Sequence, residues 1–167
     1  LVYIETPANP TNDLIDIRSS KEIAAHFSTN EKQIPLVVDN TYMGPLWQHP
    51  LKHGADLVVY SATKYIGGHS DVIAGAVLGS HELMHRIRGL RTFLGNMASP
   101  NTGWLLMRSL ETLKARMDIQ ASNANKVAAF LNDHPKVGKV YFPGNLTEKD
   151  GEQYEIRKRQ CLTNGGM

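Results

Sequence analysis

An α/β fold built on a largely parallel sheet is what this 167-residue sequence predicts. Three observations lead there. The runs Leu36-Val37-Val38-Asp39 and Asp56-Leu57-Val58-Val59-Tyr60 are apolar without alternation, as suits strands covered by helices on both faces. Strand-like and helix-like segments alternate up to Thr92. A segment bearing a lysine and paired glycines, Ser61 to Ser70, follows the second run directly, and ligands of α/β sheets gather at the carboxyl ends of strands.

Taken in order, Leu1 to Ile4 reads as a short buried strand, and Glu5-Thr6-Pro7-Ala8-Asn9-Pro10 as the loop after it, since its two prolines forbid regular structure. Ser19 with Glu22 forms a capping box, and Ile23, Ala24 and Phe27 carry a helix to about Ser28. Leu36 to Asp39 and Asp56 to Tyr60 are the next strands, and Val72 to Leu78 is a fourth. His81 to about Thr92 is helical. A long helix runs from about Pro100 to Leu131, with Trp104, Leu105, Met107, Leu110, Leu113 and Met117 at helical spacing; Asp118 is the place where its length would hide a break. Val137 to Phe142 reads as a strand closed by Pro143-Gly144.

Composition narrows the function classes. Apolar residues make up 41% and charged residues 20%, ordinary for a globular chain. No apolar run approaches the roughly 20 residues of a membrane span, and the first residues do not read as a signal peptide. A net charge of +2 gives no argument for nucleic acid, and Arg157-Lys158-Arg159 reads as a solvated face. The lone Cys161 excludes an internal disulfide and fits a reducing, cytoplasmic compartment. Opening on a buried strand and closing on Asn164-Gly165-Gly166-Met167, the chain reads as an internal segment of a longer protein.

The residues around the third strand suggest a chemistry. A lysine in a dry pocket has its charged form disfavoured, which makes its amine nucleophilic and able to form a Schiff base with an aldehyde. Lys64 is the candidate. Pyridoxal 5′-phosphate (PLP) also needs an acid beside its ring nitrogen and donors for its phosphate. Asp39, ending the neighbouring strand, could be the acid; Ser61 and Thr63 could be the donors; Gly67 and Gly68 would let the backbone turn tightly. Singly, each residue has a plainer reading: a surface lysine, a turn aspartate. His49 and His53 could share a helical face for a metal, but Pro50 and Gly54 oppose a helix there and no third ligand is near. His69 reads as a loop residue, and the methionines as packing residues.

The run Asp56-Leu57, three residues, then Ser61-Ala62-Thr63-Lys64-Tyr65-Ile66-Gly67-Gly68-His69-Ser70 resembles the cofactor-attachment signature of the trans-sulfuration (Cys/Met metabolism) family of PLP-dependent enzymes. That family includes cystathionine γ-lyase, cystathionine γ-synthase, cystathionine β-lyase, methionine γ-lyase and O-acylhomoserine sulfhydrylase. Tyr3 to Pro10, Val38 to Tyr42, Gly54 to Asp56 and Met107 to Leu113 resemble the same family, so the likeness covers nearly the whole chain.

The resemblance implies a PLP-dependent transferase fold of the aspartate-aminotransferase type (fold type I). Residues 1–116 would be part of the large α/β domain with most of a connecting helix, and 117–167 the start of a C-terminal α+β domain. It implies that Lys64 holds the cofactor and, once displaced by the substrate amine, removes the α-proton. Asp39 would pair with the ring nitrogen, Ser61 and Thr63 would bind phosphate, Asn9 would approach the phenolic oxygen and the substrate carboxylate, and Thr41 would lie near the ring. For Glu5 a site role and a loop-structuring role both stay open. The implied substrate is a small sulfur-containing amino acid undergoing β- or γ-elimination, in a homotetramer whose sites borrow a Tyr and an Arg across subunits. An N-terminal phosphate loop, a stacking tyrosine and a carboxylate-binding arginine would lie outside this chain, so the segment alone is expected to be inactive. Rival readings are a γ-replacement enzyme acting on an activated homoserine, and a non-catalytic scaffold that retains the fold. Intact Lys64, Asp39, Ser61 and Thr63 argue against the scaffold.

Overall fold

The computed structural model of the chain describes residues 1–167. Four strands form one mixed sheet in the order β1-β2-β3-β4: β1 (Val2–Glu5), β2 (Leu36–Asp39), β3 (Leu57–Ser61) and β4 (Gly75–Gly79). The first three are parallel and β4 runs antiparallel to β3. In register, Glu5 stands beside Asp39, Asp39 beside Val59, and Ser61 beside Gly75, so the carboxyl ends of three strands share one edge with the start of β4.

The apolar runs explain the core. Leu36 and Val38 pack with Ile17 and Ala55, flanked by Val2 and Ile4. Fully burying such a side chain is worth about 1.5–3 kcal/mol. Helix α1 (Ile17–His26) supplies Ile17 and crosses from β1 to β2. Its cap is Asp16, whose carboxylate accepts the Arg18 amide at 3.0 Å and the Ser19 hydroxyl at 2.8 Å. The helix thus starts ahead of the Ser19–Glu22 box, because the aspartate oxygen reaches the free amides of the first turn before Ser19 can. Asp56 staples this layer together, accepting Lys21 Nζ at 2.7 Å and the Leu36 amide at 2.7 Å.

The fourth strand is shorter than the apolar run suggested. Residues 72–74 stay outside it, since Ala74 is bonded to Thr63 instead, through its carbonyl to the Thr63 amide at 3.1 Å and through its amide to the Thr63 hydroxyl at 2.9 Å. After α2 (Gly44–Trp47) and α3 (His81–Leu94), the predicted long helix is two: α4 (Pro100–Leu110) and α5 (Leu113–Asn132). The break falls at Glu111-Thr112, not Asp118. There the amides of both residues turn back three residues, to Arg108 and Ser109, while Asp118 sits inside a continuous helix in an i,i+4 ion pair with Lys114.

Val137 to Phe142 forms no strand. It has no neighbour to ladder with, and side chains take its carbonyls instead: Asn12 that of Tyr141, and Asn145 that of Val140. Helix α6 (Glu152–Gln160) then folds back on the first half of the chain. Gln153 bonds both the amide and the carbonyl of Leu14, at 2.7 and 2.8 Å. A second core cluster, Met43 and Trp47 with Leu113 and Met117, seats α5 against α2. No helix is long and apolar enough to cross a membrane.

Candidate functional site

Strand β3 delivers the chain to the shared carboxyl edge, where it turns tightly. The Lys64 amide donates to the Ser61 carbonyl at 3.0 Å, the Gly67 amide to Ala62 at 2.7 Å, and the Gly68 amide to Lys64 at 2.7 Å. Both glycines are required. A Cβ on Gly67 would lie 2.6 Å from the Val72 side chain, and Gly68 has φ +72° with the Arg116 guanidinium where its Cβ would be.

The turn leaves the Lys64 side chain exposed in the wall of a cavity of about 780 Å³. Asn9, Thr41 and Thr63 line the same cavity, each from a different loop at the sheet edge. Four of the six sequence-predicted site residues are thereby brought together. Asp39 and Ser61 sit at the strand ends beside them but outside the cavity wall. The Asp39 carboxylate accepts the Thr41 amide at 3.0 Å and the Tyr3 hydroxyl at 3.3 Å. Burial, and then this carboxylate, push the Tyr3 phenol above its ordinary range. Ser61 donates its amide to the Thr41 hydroxyl at 2.8 Å. The Thr63 hydroxyl accepts the Ala74 amide and gives its own proton to the Ala74 carbonyl over a long 3.3 Å.

Sequence reasoning gave no role to several wall residues. The Tyr65 hydroxyl and the Gln120 carbonyl oxygen are buried with no hydrogen-bond partner, and both residues line the cavity. Burial, reinforced by Tyr42, pushes the Tyr65 phenol up to about 12, so it remains a proton donor at neutral pH. Its ring packs edge-on against Trp47, with centroids 5.1 Å apart. Tyr65 lies inside the signature and was legible as a position but not as a wall; Gln120 lies in mid-helix with no motif around it. Also unforeseen is Arg116, whose guanidinium reaches the turn from α5. His49 precedes and His53 ends a 3₁₀ turn, Pro50–His53, and no cluster of three or more His, Cys, Asp or Glu side chains is placed to hold a metal ion.

Such a site, a lysine just past a strand end with two threonines and an asparagine in the same cavity wall, is open to amine chemistry on a bound ligand. Comparison with known proteins gives its lineage. The chain is 44% identical over 169 residues to L-methionine gamma-lyase of Fusobacterium nucleatum subsp. nucleatum, and 46% identical over 168 residues to cystathionine gamma-lyase of Homo sapiens. Each match covers 100% of this chain, which spans 41% and 40% of the lengths of those relatives. A crystal structure of cystathionine gamma synthase from Xanthomonas oryzae pv. oryzae, in complex with aminoacrylate and cysteine, superposes with a TM-score of 0.89 at 40% identity, over 99% of this chain and 41% of that one. The family profile described as Cys/Met metabolism PLP-dependent enzyme matches residues 1–167. With its PLP-dependent transferase fold, the chain belongs to the Cys/Met metabolism family of PLP-dependent enzymes.

Proposed function

We propose that the whole protein is a PLP-dependent carbon–sulfur lyase that acts on a small sulfur-containing amino acid, such as methionine or cystathionine, by β- or γ-elimination, with Lys64 holding the cofactor. One observation carries the reading: the Lys64 side chain stands in the wall of the cavity at the carboxyl end of β3, on a turn that requires glycine at 67 and 68. The cavity fits the group. Its volume, about 780 Å³, lies in the range of small-ligand sites, and its wall carries an amine (Lys64), two hydroxyl side chains (Thr41, Thr63) and a carboxamide (Asn9), the donor set that an aldehyde bearing a phosphate needs.

Bound there, PLP supplies an electron sink for the negative charge that develops on the substrate's α-carbon. The chain's own residues divide the remaining work. Lys64 attaches through Nζ and, when released, carries the α-proton on that nitrogen. Asp39 holds a proton on the ring nitrogen, its carboxylate kept in place by the Thr41 amide. Ser61 and Thr63 give hydroxyl donors to the phosphate; for Thr63 the long bond to Ala74 is the one that yields. Asn9, in the same wall, would orient the phenolic oxygen and the substrate carboxylate, and Thr41 would stand near the ring. Two hydroxyls are few for a phosphate dianion. The rest of the cradle comes from other parts of the protein and from a neighbouring subunit of a homotetramer in a reducing, cytoplasmic compartment. In this reading residues 1–116 belong to the large domain and 117–167 begin the C-terminal one.

A second reading is favoured by the 40% identity to a cystathionine gamma synthase: replacement at the γ-carbon of an activated homoserine. Borohydride reduction of the full-length protein, followed by peptide mass mapping, tests the common part, and an adduct on Lys64 is expected. An adduct on another lysine, or none, sinks both readings. Ammonia release from methionine or cystathionine supports elimination; thioether formation from O-acylhomoserine and cysteine without ammonia supports replacement.

A further inference from the structure

We propose that Arg116 is a positioning residue for Lys64: reaching over from α5, its guanidinium grips the backbone of the turn that carries the lysine and fixes where the amine enters the cavity. This rests on the reading of Lys64 as the cofactor's attachment point.

The geometry is that of a clamp. Arg116 Nη1 donates to the Tyr65 carbonyl at 2.7 Å, and Nη2 to the Ile66 carbonyl at 3.4 Å and the Ser109 carbonyl at 2.9 Å. Nε donates to the Thr112 hydroxyl at 3.1 Å. One planar group thus joins three things: the last turn of α4, Thr112 just ahead of α5, and the two residues that follow Lys64. None of the chain's ion pairs includes Arg116. A partly buried cation without a carboxylate is costly, and backbone carbonyls are what satisfy it here. Only a guanidinium has donors spread across a fork wide enough to reach all of them; an ammonium is a single point.

The turn is shaped to receive it. Gly68 donates its amide to the Lys64 carbonyl, and its missing side chain leaves the space that the guanidinium fills. At the break between α4 and α5 the Ser109 carbonyl accepts Arg116 Nη2 at 2.9 Å beside the Thr112 amide and hydroxyl, each at 3.3 Å, so the guanidinium is anchored where the two helices meet. Arg116 itself is absent from the cavity wall, so any effect on chemistry passes through the turn.

The test uses the full-length protein as Arg116→Lys, Arg116→Met, Gly68→Ala and Gly68→Ala/Arg116→Met. The readouts are the rate at which the apoenzyme forms a borohydride-trappable adduct at Lys64 with pyridoxal phosphate, and amide hydrogen exchange at Gly67 and Gly68. Arg116→Met is expected to slow the adduct about ten- to a hundredfold, because a lysine displaced by about an ångström loses that much. Arg116→Lys should fall between. Exchange at Gly67 and Gly68 should quicken while amides of α1 stay unchanged. Gly68→Ala should harm the wild type more than the Arg116→Met background. A folded Arg116→Met protein with wild-type adduct rate and exchange overturns the proposal while leaving Lys64 as the attachment point. If Arg116→Met does not fold, a wild-type adduct rate in Arg116→Lys overturns it equally. A wild-type adduct on a different lysine removes both this proposal and the function it rests on.

Discussion

The Thr41 hydroxyl accepts the Ser61 amide at 2.8 Å, joining β2 and β3 by a side chain just where their ladder ends. Both residues stood in the sequence as candidates for ligand contact, and here one holds the other. Thr41→Val keeps the shape and removes the acceptor, leaving a half-buried amide without this partner. A loss of about 1–3 kcal/mol is expected from urea unfolding of the full-length protein, with Thr41→Ser close to wild type. An unmoved midpoint in the valine variant would show that the bond does not matter.

Beneath the site lies a buried set of carboxamides. Gln48, fully buried, donates to the Thr6 carbonyl at 2.9 Å and to Asn40 at 2.8 Å, and accepts from Gln160 at 3.2 Å. It ties the loop that carries Asn9, the end of β2 and helix α6 into one unit. Networks of this kind are strongly coupled, because one deletion strands its neighbours. Gln48→Leu and Gln160→Leu should each cost about 1–3 kcal/mol, and the double variant less than their sum by about 0.5–3 kcal/mol. Additivity in the double-mutant cycle would contradict the coupling.

Cys161 abuts the same network, its thiol 3.5 Å from the Gln48 oxygen. Burial pushes the thiol up to about 12 from an ordinary 9.0, against a smaller opposing pull from Arg157. Above about pH 9 the unfolded chain has lost this proton and the folded one still holds it. Stability from this group is therefore complete below that pH and is lost as pH rises toward 12. Iodoacetamide at pH 8 should label the native protein far more slowly than the denatured one. Cys161→Ala should flatten the alkaline fall in stability between pH 9 and 11; an equal fall in both proteins would assign it to other groups.

The strands were legible because their apolar runs are continuous, and the Lys64 turn because its residue types and spacing sit directly after one of them. What stayed hidden depends on exact local geometry or on distant partners. Asp16 outcompetes Ser19 for the free amides of α1, a matter of geometry within a single turn. The α4–α5 break carries no proline or glycine to announce it; it shows in the Glu111 and Thr112 amides turning back three residues, with Arg116 bound to the Ser109 carbonyl there. Residues 137–142 have the composition of a strand and no neighbour to pair with. Gln120 enters the cavity wall because α5 packs on α2 through Met117, a contact between residues far apart in the chain.

Asp39 offers the sharpest test of the assigned roles, since it stands at the strand end rather than in the cavity wall. Its Oδ1 accepts the Thr41 amide at 3.0 Å, and an asparagine oxygen in the same place would accept that amide equally well. Asp39→Asn therefore preserves the bond to Thr41 and deletes the negative charge, while the Tyr3 hydroxyl, which donated to the carboxylate, turns to accept from Nδ2. If that charge keeps a proton on the cofactor's ring nitrogen, the variant should still bind close to one cofactor per protomer, because Lys64 and the phosphate donors are untouched. Turnover should nevertheless fall by about a hundredfold or more, the scale seen when one preorganised electrostatic group is removed from an active site. Absorbance of the bound cofactor and kcat, measured on the same full-length preparation, separate the two effects. Near-normal kcat would remove Asp39 from the mechanism. Parallel loss of cofactor and turnover would make it a binding residue instead.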